Sequence, residues 1–178
     1  DNNIVLQGSP GNVFLDTNSD CAPSAAFKAV MTIGGDVQIF GSKDGFNFRS
    51  IASKRLSGSD TQNIVFYDAT KQGYVFFGRT HLPAGLGALP GGEPARNITP
   101  CYGAEHPGRS VGSFFIGQNL TAPWPVVTAN SAPTILNTDS QDPPCMDIYT
   151  SAATPLHDAI LMFPQVYHHY PTTFIKQS

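Results

Sequence analysis

Residues 63–79, NIVFYDATKQGYVFFGR, hold two runs rich in Val, Ile, Phe and Tyr, separated by a polar stretch from Asp68 to Gly73. Residues of this type fit a pleated, half-buried surface, and the polar stretch is turn chemistry, so the segment predicts a β-hairpin. Residues 37–51, VQIFGSKDGFNFRSI, repeat the design with Asp44-Gly45 between two aromatic arms, the strongest short hairpin signal. A third pair of arms, MDIYTSAA and AILMFPQVYHHY, flanks Thr154 to Asp158. Asp44 and Asp68 read as turn residues that bond their own backbone.

Outward from these hairpins, further short β-type runs follow: NIVL, NVFLD, FKAVMTI and RSVGSFFIG. The best helical candidate, PSAAFKAVM, is bounded by Pro23 and by Gly34-Gly35, and its β-branched continuation suits a strand. The chain therefore reads as all-β with antiparallel sheets. Hairpins recurring at this spacing predict propeller blades, about three of them, over residues 1–56, 60–127 and 142–178. Between the second pair of arms and RSVG lies a Gly/Pro-rich stretch, residues 81–108, which reads as a surface insertion.

Composition limits the function. The chain has 178 residues, 13% charged and 40% hydrophobic, with 17 Gly and 15 Pro but only two Glu and five Lys. That excludes disorder and long solvated helices. A net charge of −3 leaves no basic footprint for nucleic acid, and no run approaches the ~20 apolar residues of a membrane span. No signal segment opens the chain, so a secretion signal is expected to be absent or already removed.

Cys21, Cys101 and Cys145 are spaced too widely for a zinc knuckle or a redox pair. Their odd number permits one disulfide and one leftover thiol, which is open to pairing with another chain. The pairing of Cys101 with Cys145 would stabilise the fold by roughly 4 kcal/mol in the chain-entropy picture. Asn97-Ile98-Thr99 and Asn119-Leu120-Thr121 are acceptor triplets for N-linked glycan. With the low Lys and Glu content they predict a secreted, extracellular glycoprotein.

VFLDTN, FKAV, FGSKDGFNFR, SDTQNIVFYDATKQGYVFFGR, RSVG, DPPCMDIYTSAA and LMFP, in that order, resemble the five-bladed β-propeller superfamily of furanosidases: invertases, levanases, arabinanases and secreted relatives. The resemblance spans most of the chain outside residues 81–108. It implies a funnel lined by the first strand of each blade, carbohydrate as the ligand, and glycoside hydrolysis by paired carboxyl groups about 5 to 9.5 Å apart. Three blades of five imply that another polypeptide completes the propeller or joins an assembly. No cofactor and no metal are implied.

Carried over residue by residue, Asp60 before TQNIVFYD resembles the transition-state stabiliser. Asp147 lies in the segment that holds the general acid, although the family's Glu falls near Pro144; Asp142 is a second substitute. The nucleophile phrase of the first blade is absent, and Asp16 is the third candidate carboxylate. Candidate substrate contacts are Gln62, Arg79 and Trp124, with a strand-end packing role open for Trp124 and a structural ion pair open for Arg79 and Arg109. For each Asp, a turn or cap role stands beside the catalytic one. His81, His106 and His157 read as loop residues without companions. Consecutive His168 and His169 point to opposite sides of a strand, one inward and one outward. Two readings stand: a glycoside hydrolase-like segment, and a non-catalytic structural or glycan-binding module.

Overall fold

A computed structural model describes residues 4–60, 62–82, 108–126, 128–139, 141–143 and 145–169. The described residues form ten strands and two single-turn 3-10 segments, with no α-helix among them. Strands β1 (Ser9–Leu15), β2 (Phe27–Ile33), β3 (Asp36–Ser42) and β4 (Arg49–Arg55) make one antiparallel sheet in sequence order. A second sheet of the same order holds β5 (Ile64–Asp68), β6 (Gly73–Leu82), β7 (Gly108–Gly117) and β8 (Thr134–Leu136). The hairpin of β9 (Met146–Leu156) and β10 (Ala159–His168) follows. The all-β, antiparallel expectation matches; no closed ring of sheets is present among the described residues.

The turns obey local chemistry. Asp44 Oδ1 accepts from the backbone N–H groups of Phe46 (2.9 Å) and Asn47 (2.8 Å), with Gly45 at φ 78°. Asp68 Oδ1 accepts from Thr70 N–H (2.9 Å) and Thr70 Oγ1 (2.6 Å), and Asp68 faces Gly73 as the closing pair of its hairpin. Elsewhere the expected elements shift. Ile4–Leu6, read as a strand, is irregular, and β1 instead runs through Ser9-Pro10-Gly11 with a register shift before Asn12. The second sheet extends to Leu136, past residue 127, because β8 pairs with the edge of β7. His81 and Leu82 belong to β6 and Gly108 to β7, so the expected insertion loses both its ends to strands.

The second sheet is covered on both faces, because its residues alternate between two cores. Val65, Tyr74, Phe76, Phe114 and Ile116 pack with Val30, Val37 and Ile39 of the first sheet. Ile64, Phe66, Val75, Phe77 and Val111 pack with Ile148, Ala153, Ile160 and Met162 of the hairpin. The first two sheets are joined at their leading strands, where Gly11 and Asn63 form a parallel bridge. A Cβ on Gly11 would lie 2.0 Å from Val30 O, so only glycine permits that approach. The side-chain amide of Asn12 completes the seam: it donates to Val65 O (2.8 Å) and accepts from Val65 N–H (3.0 Å), imitating a peptide group.

Candidate functional site

Where the second sheet meets the hairpin, aliphatic packing gives way to charge. Arg79 and His81 are two residues apart on β6, and Arg109 of β7 is directly opposite His81. From the other side, β9 brings Asp147 and Tyr149. Thr150 pairs with Gln165 and Ile148 with Val166, so Tyr149 is an extra, unpaired residue in a bulge. Bulges commonly re-aim a side chain beside a site, and here the Tyr149 ring receives two cations. The Arg79 and Arg109 guanidinium carbons lie 5.3 and 4.9 Å from its centroid, within the range of a cation–π contact. Arg109 also lies over Tyr167 of β10 (5.4 Å), whose ring is 5.9 Å from Tyr149 and 4.5 Å from His169.

Each carboxylate of this corner is already engaged. Arg79 Nη2 donates to Asp60 Oδ2, whose side chain is 49% exposed. Asp147 is 1% exposed; its Oδ2 accepts from Arg109 N–H (3.1 Å) with Arg109 Nη1 at 3.8 Å, and His169 Nε2 lies 3.1 Å from Oδ1. Burial is the largest influence on Asp147 and raises its pKa, against the lowering effect of the Arg109 N–H and of the nearby cations. Burial lowers His169 and His81 in turn, the latter against a contact of its Nδ1 with Asn130 Oδ1 at 3.1 Å. All three groups are thereby pushed toward their neutral forms.

Asp16 lies elsewhere. Immediately after β1, it accepts from Tyr74 Oη (2.7 Å), Lys28 Nζ (2.8 Å) and Asn18 N–H (3.1 Å). Its partner Tyr74 is five residues from Arg79 on β6, which separates them by about 17 Å along the strand and turns them to opposite faces. The structure thus brings Asp60 and Asp147 to one corner and leaves Asp16 at the far end of the other face.

The remaining candidates separate similarly. Trp124, read as a substrate contact with a packing role open, is 6% exposed, donates from Nε1 to Leu120 O (3.1 Å) and packs on Phe76 and Phe114; the packing role is the one its ring fills. Gln62 is half-buried next to Asn63 with φ 59°. Asp142 accepts from Asp139 N–H in a turn (2.8 Å). Asn119 is exposed, its Oδ1 accepting from Thr121 N–H and Oγ1. Cys21 is a free thiol and Cys145 is in a disulfide; Asn97, Cys101 and His106 lie outside the described residues. His157 sits in the β9–β10 turn at φ 54°, and His168 is exposed while His169 turns to Asp147. His81, read as a companionless loop residue, is in β6 beside Asn130.

Neither Tyr149 nor Tyr167 stands out in the sequence as a site residue, and Arg109 reads there only as half of a structural ion pair. A signal existed in the spacing: Arg79 with His81, and Asp147 with Tyr149, are i, i+2 pairs within strands. Among the described residues no three His, Cys, Asp or Glu side chains gather as a metal site, and no helix is long and apolar enough to cross a membrane. Comparison with protein-family models, curated proteins and solved structures finds no match to this chain.

Proposed function

We propose that the chain is a secreted, carbohydrate-directed segment of a β-propeller that binds a glycan rather than cutting it. Two four-stranded meanders stacked face to face, with their leading strands bridged in parallel, support the blade reading. The hairpin of β9 and β10 is then the start of a third blade, and another polypeptide completes the ring. The observation that carries binding over hydrolysis is the occupation of the acids. Asp60 is paired with Arg79, Asp147 is buried against Arg109 and His169, and Asp16 is on the other face. Glycoside hydrolysis needs two carboxyl groups flanking one bond. The accessible groups of the corner are the Asp60 carboxylate, held by Arg79, and Tyr167, 48% exposed beside Arg109, an apolar ring with a polar rim suited to a sugar face.

The furanosidase-like reading makes furanosides the first ligands to test. Calorimetric titration with fructan and arabinan oligosaccharides is expected to show binding that Tyr167→Ala abolishes, with no release of sugar. Hydrolysis by the unaltered chain that disappears in Asp60→Asn would establish the enzymatic reading instead. The extracellular part of the proposal predicts glycan on Asn119 and on Asn97, and a Cys101–Cys145 bridge, each read by mass spectrometry of non-reduced peptides.

A further inference from the structure

Both faces of the second sheet are covered, yet each end of the stack is bare. On β1, Asn12 and Phe14 turn toward the second sheet, so Val13 and Leu15 project from the opposite face. Val13 is 62% exposed there, and Leu15 and Ile33 are exposed beside it. On β10, Ile160 and Met162 pack against the second sheet, so Leu161 and Phe163 point away from it. Phe163 is 60% exposed, and Leu161 and Leu156 on the same face are exposed as well. Among the described residues, Phe115 is the only exposed large hydrophobic side chain outside these two ends. Apolar surface gathered in this way marks a contact with another protein surface.

The two ends are unlike. The first-sheet end is a groove of about 420 Å³ lined by Ile4, Leu6, Val13, Met31 and Phe48. The hairpin end presents Leu161 and Phe163 from a strand whose only sheet neighbour among the described residues is β9. Exposed charge on the strands of the first sheet is Arg49 and Arg55, whereas in the hairpin it is Asp158. Groove to ridge and cation to anion match one end to the other, and neither match holds between like ends. A second copy of this chain carries both. We infer that two copies associate head to tail, the hairpin of each seated on the outer face of the other's first sheet, so that six sheets close a ring. This pairing rests on the blade reading of the proposed function and makes a second copy the polypeptide that completes the ring, with one sheet more than the resembled family has. Each new contact repeats a stacking the chain already makes, since the second sheet receives an apolar sheet on one face and the hairpin on the other. Closure sets the number of copies. A head-to-tail contact that does not close leaves a groove and a ridge open and grows into a filament, whereas two copies of three sheets leave neither open and fall within the roughly four to eight blades of propellers.

The test is the mass of the intact chain in solution, by light scattering and sedimentation, with Val13→Asp and Phe163→Asp as variants. The unaltered chain is expected at twice the mass of one copy. Either substitution puts a carboxylate into both contacts of the ring, so each variant alone should run as a single copy, with at least about a tenfold rise in the dissociation constant. Mixed in equal amounts the two should associate again, because the hairpin of Val13→Asp and the groove of Phe163→Asp are intact, and they should stop at two copies. Both positions are exposed in the single copy, so the fold is expected to hold, read by circular dichroism; Leu15→Asp and Leu161→Asp replace a variant that unfolds. A single-copy mass for the unaltered chain, filaments that lengthen with concentration, or a dimer that survives both substitutions would each overturn the inference. So would a dimer broken by Phe163→Asp alone and not restored by mixing, the result for edge-to-edge pairing of two β10 strands. Titrating the same samples with arabinan oligosaccharides separates the two readings: a single copy that binds glycan removes the second copy and leaves the proposed function, and a dimer that binds none does the reverse.

Discussion

Asp16 and Asp147 are both buried, both face a basic side chain, and they respond in opposite directions. Burial is the largest single influence on each, and it pushes both carboxyls up. At Asp16, hydrogen bonds from Lys28, Tyr74 and Asn18 together outweigh burial and hold the pKa below its ordinary value. At Asp147, the Arg109 guanidinium is 3.8 Å away and the closest Arg109 donor is a backbone N–H at 3.1 Å, so burial prevails. The number of short donors, more than the presence of a cation, decides which form a buried carboxyl prefers. Tyr74 shows the reciprocal effect: burial, with the Asp16 carboxylate beside it, pushes its hydroxyl well up.

The sharpest way to break this comparison is to remove one partner of the closed pair. Lys28→Met leaves the Asp16 carboxylate buried without its cation, and the expected cost is about 3–5 kcal/mol, read as a fall in the midpoint of urea unfolding. Asp16→Asn/Lys28→Met removes both charges and is expected to recover much of that loss. A double variant no better than Lys28→Met would mean that Lys28 acts through packing of its stem rather than through its charge.

A smaller effect distinguishes the two carboxyls by pH. For Asp16 the folded-state pKa lies below the unfolded value of 3.8, so its contribution is present above pH 3.8 and is lost as pH falls through the folded value. For Asp147 the folded value lies above 3.8, so its contribution is full below 3.8 and is lost as pH rises through the folded value. His81 and His169, lowered from 6.5, add a loss of stability as pH falls below 6.5 through their folded values. Unfolding titrations should therefore show Asp147→Asn gaining stability relative to the unaltered chain as pH rises from 3.8, whereas Asp16→Asn flattens the acid limb below it. Parallel curves for the two variants would contradict the assignment of opposite shifts.

These differences explain what was legible in the chain. Hairpins were, because Asp44-Gly45 and Asp68 to Gly73 act through bonds within four residues. So was the β character of the aromatic runs, which fill the two cores. The start of β1 was hidden, because Pro10-Gly11 reads as a turn while Gly11 is there for close approach to Val30 and Asn63. β8 was hidden because three residues, TIL, carry no period. The role of Asp16 depends on Lys28 and on Tyr74, 58 positions away, and nothing local distinguishes it from Asp60. Trp124 between two prolines looks like an exposed platform until Phe76 and Phe114 are brought against it. Local chemistry was readable; pairings across sheets were not.

Asp60 supplies the weakest and most selective contrast. It pairs with Arg79 as Asp16 pairs with Lys28, yet half of its side chain faces solvent while Arg79 is largely covered. With one partner half-exposed and the other covered, the pair falls between an exposed one (about 0–1 kcal/mol) and a buried one (about 3–5 kcal/mol), so Asp60→Asn should lower the unfolding midpoint by less than Lys28→Met does. Its consequence falls on the corner as well. Freed from Asp60, the Arg79 guanidinium keeps its place over Tyr149 but exposes its charge, so the corner gains one positive charge without losing its rings. Asp60→Asn should then strengthen binding of an acidic oligosaccharide relative to a neutral one, by titration at low and high salt, with the difference shrinking as salt screens it. Equal affinities of the variant and the unaltered chain would place Arg79 outside the binding surface and confine its role to holding Tyr149.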